Sequence, residues 1–491
     1  MIYNQALSIA NTSRTVGVVL QRISIAASTS IRPRLHSPLR SALRSAGSYV
    51  LAVAAFTSLA GCGNTYRPVV SAINPVGPAG QPQKFAVAVS TLSASSPGLV
   101  TIVDYSGDTV LITANVGVNP YYFNLNSSGT TGYTLNSDGT VTSFDVSTQL
   151  QTRDVLQTTL LSGANPASVF VTGGTVYIPE PGRNAIAELQ GSPATLRQEL
   201  PVAANAVYVV GINNGARLYA LSQGTAGSVG QAAAIDTATT TITTTIPVGR
   251  GPVYGVMTAD GKRAFVMNQL DNTVSVINAQ TNQLDIPNGT IPVGVNPLWA
   301  DFAPTRSELV VANAGNGTTP GSVTLINIPL CSAAALPLNP NCSATNPVDS
   351  TDFGKVIANI PTGLNTVMVS VLQDGTRAYV ANTGDPTLPC AGPPAVPGVS
   401  TVCSISVVNL TTNTVTQTLY ALPDSQCTSV MTPAICGHPA YIVATTGAPT
   451  GKVYVVSRDS NNMSVIRTDT DTVTTTIPIQ GKGVSVRLTT Q

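Results

Sequence analysis

The sequence predicts an all-β fold, a single β-propeller of four-stranded antiparallel blades, eight by count. Strands from the two ends of the folded region are expected to close the ring. Three observations carry this reading. Sequence elements recur along the chain at about 45 residues, the period of a propeller blade. Charged residues are 9% of the 491 while hydrophobic residues are 43%, and the text is rich in Thr, Val, Asn, Gly and Pro, a mixture that favours many short strands and tight turns. Corner dipeptides also punctuate the chain at near-regular intervals.

The repeats justify the blade strand by strand. Asp260-Gly261-Lys262-Arg263-Ala264-Phe265-Val266-Met267-Asn268 returns as Asp374-Gly375-Thr376-Arg377-Ala378-Tyr379-Val380-Ala381-Asn382. The Asp-Gly pair supplies a hairpin turn with positive φ, and the alternation after it makes a half-buried strand. A second element, Thr273-Val274-Ser275-Val276-Ile277, matches Ser404-Ile405-Ser406-Val407-Val408. A third, Thr241-Ile242-Thr243-Thr244-Thr245-Ile246, returns as Thr472-Val473-Thr474-Thr475-Thr476-Ile477. Its alternation suits an outer strand with Thr towards water and the apolar residues towards the next blade.

Each inner strand is expected to begin at a corner: Asn119-Pro120, Asn165-Pro166, Asn205-Ala206, Gly251-Pro252, Asn296-Pro297, Asn365-Thr366 and His438-Pro439. Seven corners open seven blades. Residues 85–115 hold three further strands without an inner partner, and Gly483-Val484-Ser485-Val486-Arg487-Leu488 can supply it, giving an eighth blade without exposed edges. Seven blades are the alternative if the weakest repeat, 165–200, is not a complete blade.

Tyr379-Val380-Ala381-Asn382 and Phe265-Val266-Met267-Asn268 resemble the YVTN-type bacterial propeller repeat family, over residues 200–480 well and 85–200 loosely. The resemblance implies a propeller in an extracytoplasmic setting, and no single activity.

The N-terminal part reads differently. Residues 1–61 hold six Arg and neither Lys nor acid. From Ser48 to Ala60 runs an apolar stretch of the length of a signal h-region, too short for a membrane span. Leu59-Ala60-Gly61-Cys62 resembles the lipobox of bacterial lipoproteins, which implies acylation of Cys62, a chain end anchored to the membrane, and a cell-envelope location. Residues 62–83, with Pro68, Pro75, Pro78 and Pro82, form an expected tether. Residues 84–491 make the propeller. Without the leader the chain carries 17 basic and 22 acidic residues. No basic patch remains to neutralise phosphates, so nucleic-acid binding is not expected. A monomer is.

Six cysteines follow Cys62, and six allow fifteen pairings. Neighbours along the chain fall within single insertions, so the expected bridges are Cys331–Cys342, Cys390–Cys403 and Cys427–Cys436. Each would close a short loop and stabilise by about 2–3 kcal/mol, and an oxidising compartment fits them. A zinc site would need closer cysteine pairs and adjacent histidines.

Evidence for catalysis is thin. Outside the leader the chain has one histidine, His438, and it lacks a haem-attachment motif and a nucleophile elbow. Asp138, Asp260 and Asp374 precede Gly in hairpin turns, a structural use. Neither a cofactor nor a resident metal is expected. Aromatic residues are only 5% of the chain, with the single Trp299, which argues against an aromatic-lined groove. What remains is a ring of corner residues, Asn119, Asn165, Asn205, Arg250, Asn296, Asn365 and His438, around one mouth of the central channel. They serve either as turn caps or as a ligand-binding ring. The insertions 383–402 and 421–437 should rise on that face, and the Cys331–Cys342 loop on the other. The expected function is a binding or scaffolding module for an envelope protein, peptide or polymer. The alternative is a lactonase-like hydrolase with a metal in the channel, which requires at least three inward-facing oxygen or nitrogen ligands.

Overall fold

The computed structural model describes residues 84–285, 289–329, 352–394, 403–428, 433–445 and 451–489. They form eight antiparallel blades, each running from an inner to an outer strand. Blade 1 is Lys482–Leu488, Phe85–Thr91, Pro97–Asp104 and Thr109–Val118. Blade 2 is Pro120–Leu125, Thr131–Asn136, Thr140–Asp145 and Leu156–Thr159; blade 3 is Phe170–Thr172, Thr175–Glu180, Ala185–Gln190 and Thr195–Pro201. Blade 4 is Ala206–Val210, Arg217–Ser222, Gln231–Asp236 and Thr241–Pro247. In blade 5 (Pro252–Met257, Arg263–Asn268, Thr273–Asn278) the outer strand is split into Gln283–Leu284 and Thr290–Pro292. Blade 6 is Pro297–Ala303, Glu308–Asn313, Ser322–Asn327 and Val356–Pro361. Blade 7 is Thr366–Val371, Arg377–Asn382, Ser404–Asn409 and Thr414–Leu422, with Ile435–Cys436 added at its edge; blade 8 is Pro439–Ala444, Lys452–Ser457, Asn462–Arg467 and Thr472–Pro478.

The closing strand does what its sequence implies. Ala86 pairs with Leu488 and Val89 with Ser485, so blade 1 takes its inner strand from the far end of the chain. The count is eight. Blade 3, the weakest repeat, is complete but has a three-residue inner strand that begins at Phe170 rather than at its corner.

The repeat motif has a physical explanation. The last residue of the second strand, Asn136, Asn268, Asn313 or Asn382, is buried. Its amide reaches across to hydroxyls two residues apart on the third strand. Asn268 Nδ2 donates to Thr273 Oγ1 at 3.1 Å and Ser275 Oγ at 2.9 Å, and Asn382 Nδ2 to Ser404 Oγ and Ser406 Oγ at 3.2 and 2.9 Å. The same Ser275 hydroxyl accepts the Gly249 N–H that follows the outer strand. Gly249 leaves room for this: a Cβ there would lie 2.5 Å from Asn268 Cγ. One amide thus ties three strands, and because it is buried its bonds matter more than surface ones.

The tyrosine of the motif joins blades. Tyr219 Oη donates to Asn282 at 2.8 Å, and Tyr379 Oη donates to Asp471, each on the turn before the outer strand of the next blade. Both acceptors sit at positive φ, Asn282 at 52° and Asp471 at 52°, a conformation that Asn and Asp tolerate better than most residues. The outer strands alternate as expected: in Thr241–Pro247, Thr241, Thr243 and Thr245 are exposed and Ile246 is buried.

Candidate functional site

The ladder register places the functional surfaces. Pro252 at the start of an inner strand pairs with Asn268 at the end of the second. The corners between blades and the turns between second and third strands therefore share one face. Every expected corner is found on it. Asn119, Asn165, Asn205, Asn296 and Asn365 have φ between 44° and 61°, and Gly251 fills the position after Arg250 at 61°.

Most of these side chains are engaged by their own blade. Asn296 Nδ2 donates to the Gly315 carbonyl at 3.0 Å and Asn365 Nδ2 to the Gly384 carbonyl at 2.8 Å. Asn205 Nδ2 meets Gln223 at 2.5 Å, and Asn119 accepts the Thr91 hydroxyl at 2.8 Å. Arg250 bonds Asp271 through its backbone N–H and Nε, both at 2.6 Å. At the last corner the positive φ falls on Gly437, at 63°, one residue earlier than the other corners suggest, and this frees the His438 ring to act elsewhere.

His438 is buried and links two loops. Its Nδ1 lies 2.6 Å from Asp459 Oδ2, while Nε2 lies 3.0 Å from the Leu388 carbonyl and 3.3 Å from the Asp385 carbonyl. All three partners are oxygens, so both ring nitrogens hold a neighbouring segment in place. Asp459 has its carboxyl held low: burial raises it, and the hydrogen bonds and charge of His438 outweigh burial. The disulfide Cys390–Cys403 braces the loop that carries Asp385 and Leu388, and Cys427–Cys436 the segment that leads into His438. Cys331, Cys342 and Cys62 lie outside the described residues.

Two clusters have metal-ligand composition, Cys390–Cys403–His438 and Asp424–Cys427–Cys436. In each, both cysteine sulfurs are joined in a disulfide, which leaves a single candidate ligand.

The low aromatic content misleads. The third residue of the inner strand is Tyr122, Tyr254, Trp299, Met368 and Tyr441 in blades 2, 5, 6, 7 and 8 and Tyr208 in blade 4; in blade 1, whose inner strand starts one residue earlier, the matching position is the fourth, Ser485. In each of these strands the register shifts by one residue just before that position. A bulge of this kind re-aims a side chain. The result is a collar of half-buried rings on the channel wall. Tyr208 and Tyr254 are 4.8 Å apart between centroids, Tyr254 stacks on Trp299 at 3.9 Å, and Trp299 meets Tyr441 edge-on at 5.8 Å.

Two charges stand two residues further along, in the same layer, on blades 1 and 6. The Arg487 guanidinium lies 4.5 Å over the Tyr441 ring. Asp301 accepts the Val371 and Phe302 N–H groups at 2.8 Å each, and burial nevertheless raises its pKa to about 6. Burial also pushes Tyr441 up to about 12 and raises Tyr122, so both phenols keep their protons. Sequence reasoning missed this layer. Its signal is the Pro-x-aromatic spacing of Pro120–Tyr122, Pro252–Tyr254, Pro297–Trp299 and Pro439–Tyr441.

No family model matches the chain, and no curated protein matches it. Solved structures share the architecture. Dihydro-heme d1 dehydrogenase NirN in complex with DHE is 14% identical, with 85% of this chain and 78% of that chain covered and a TM-score of 0.57. AztD from Citrobacter koseri is 13% identical, with 82% and 97% covered and a TM-score of 0.51. At these identities the likeness is one of fold.

Proposed function

We propose that this propeller is a non-catalytic binding module of the cell envelope, held to the membrane through lipid on Cys62, that recognises a protein or peptide on its corner face. The observation that supports this reading is the placement of exposed apolar side chains. Leu92, Leu161, Val229, Leu270, Val295 and Leu388 are each more than two-fifths exposed. All six lie on corners or on turns between second and third strands, and so on one face. The other such aliphatic residues among those described, Val110, Val356 and Ile357, belong to outer strands. Apolar side chains gathered on one face of a water-facing domain mark a contact surface, and the His438 tie and two disulfides stiffen its loops, which lowers the ordering cost of binding. Two disulfides also suit an oxidising, extracytoplasmic compartment. Among the described residues no helix is long and apolar enough to cross a membrane. The YVTN-like motif fits this setting.

The lactonase-like alternative is not favoured. The channel layer that carries Arg487 offers one carboxylate, Asp301, and one amide, Asn124, among the described residues, short of the three ligands a divalent ion needs.

The test has two arms. Expressed with its leader in a bacterial host, the wild-type chain should fractionate with membranes and Cys62→Ser should not. Affinity capture from envelope extracts should give a partner set that is lost with Leu388→Asp plus Leu270→Asp and kept with Val356→Asp. Equal capture by all variants would remove the corner face from the reading.

A further inference from the structure

Arg487 is the unexplained charge of this molecule. Among the described residues it forms no ion pair; the groups that face it are the Tyr441 ring and the phenols of Tyr122, Tyr208, Tyr254 and Tyr441. Its Nε is buried without a well-formed hydrogen bond, and so are Tyr122 Oη, Tyr441 Oη and Ser485 Oγ, which approach it and one another only loosely. Four polar atoms from blades 1, 2 and 8 thus converge beside one uncompensated positive charge. Leaving a buried donor unsatisfied costs about 1–3 kcal/mol, and more for a charged group. Native structures rarely tolerate such clusters unless something else satisfies them.

We propose that this cluster is an oxyanion site inside the channel. The Arg487 guanidinium and the Tyr122 and Tyr441 hydroxyls hold the carboxylate of a small organic acid, whose planar or apolar body lies against the Tyr208–Tyr254–Trp299 stack. The site goes beyond the corner face and does not depend on it.

The donor set selects the ligand. Guanidinium N–H groups form a planar fork that matches a carboxylate in two parallel bonds. The phenols keep their protons and add two neutral donors. One cation balances one negative charge. A phosphate dianion brings a second charge that no other cation in this layer meets, and Asp301 in the same layer opposes it. The stacked rings offer flat apolar surface, which favours an aromatic or aliphatic body over a bare inorganic ion.

The chain carries its own reporter, because Trp299 is its only tryptophan and belongs to the stack. Benzoate is titrated into the full-length protein in low-chloride buffer, with acetate and inorganic phosphate as comparators. Trp299 emission and calorimetry are read together. The expected result is saturable one-to-one benzoate binding, with acetate and phosphate each weaker by about tenfold or more. Y122F and Y441F keep the rings and remove one hydroxyl each. Each should weaken benzoate by about tenfold, the effect of losing a hydrogen bond to a charged group. R487M should abolish binding and R487K should retain a reduced affinity, since a lysine keeps the charge and loses the fork. Should R487M fail to fold, the two Phe variants decide. Absence of saturable benzoate binding, or unchanged affinity in Y122F and Y441F, overturns the site. Phosphate binding as tight as benzoate overturns the carboxylate assignment. Each of these results leaves capture on the corner face untouched.

Discussion

Tyr454 Oη donates to the Asp108 carboxylate at 2.8 Å, and Lys452 Nζ meets the same carboxylate at 2.7 Å. Tyr454 and Lys452 stand on the second strand of blade 8, and Asp108 on the turn before the outer strand of blade 1. The contact bridges 346 residues and fastens the seam where the ring closes. Burial first, then the Asp108 charge, raises the Tyr454 pKa far above its ordinary value, so the phenol remains a donor.

Removing the phenol oxygen with Y454F should cost about 1–2 kcal/mol in chemical denaturation. D108A should cost more, about 2–4 kcal/mol, because it strands two donors in partly buried sites. Hydrogen exchange should rise first in residues 85–91 and 482–488. Exchange that rises uniformly around the ring would contradict a local seam.

The Asn staple inside each blade predicts a contrast between two asparagines of blade 7. N382A removes a buried amide with bonds to Ser404 and Ser406 and should lower stability by about 2–3 kcal/mol. N365A removes a partly exposed amide with one backbone bond and should cost about 1 kcal/mol plus the strain of its positive φ. Thermal melts of the two variants give the comparison.

Glu180 stands where Asn136, Asn268, Asn313 and Asn382 stand in other blades, and both its carboxylate oxygens are buried without a well-formed hydrogen bond, one of them 3.7 Å from Arg183 Nε. Burial, and then the neighbouring Glu199, raise its pKa from 4.5 to about 8, although Arg183 works against this. A carboxyl with a folded value above its unfolded one favours the folded state fully below the unfolded pKa. That contribution fades as pH rises towards about 8. Wild-type stability should therefore fall between pH 5 and pH 9 by about 1–3 kcal/mol on this account. E180Q should flatten the profile and be the more stable chain at pH 9. An unchanged slope in E180Q would assign the pH dependence elsewhere.

The two loop disulfides predict separate, local effects. C390S/C403S and C427S/C436S should each lose about 2–3 kcal/mol and open the corner-face loops to limited proteolysis. H438A should reproduce the proteolysis and lose less stability. Peptide mapping without reduction should also recover Cys331 joined to Cys342; a peptide joining Cys331 to Cys436 would refute that pairing.

Much of the ring was legible because turn chemistry is local. Positive φ selects Asn or Gly at six of the seven expected corner positions, and the seven corners count seven of the eight blades. Closure by 483–488 was legible for a related reason: three strands at 85–115 lacked an inner partner, and only one remaining segment alternated correctly. The collar was harder. Composition dilutes its rings across the whole chain, and the Pro-x-aromatic spacing that marks Tyr122 or Tyr254 does not by itself show the bulge that turns them towards the axis. Arg487 and Tyr122 are neighbours only once the ring has closed, so no local window contains both. His438 misled for the opposite reason: its place just before Pro439 matched the other corners, while the turn itself had moved to Gly437.

The clasp and the proposed carboxylate donor are one strand, Lys482–Leu488. This strand is also the last of the propeller to be made. A nascent chain that has emerged as far as residue 480 holds seven blades, an open edge at Phe85–Thr91 and no guanidinium on its axis. Competence to bind in the channel therefore arrives in the same step as completion of the ring. A shortened product would be marked twice, by an adhesive edge and by an unresponsive Trp299.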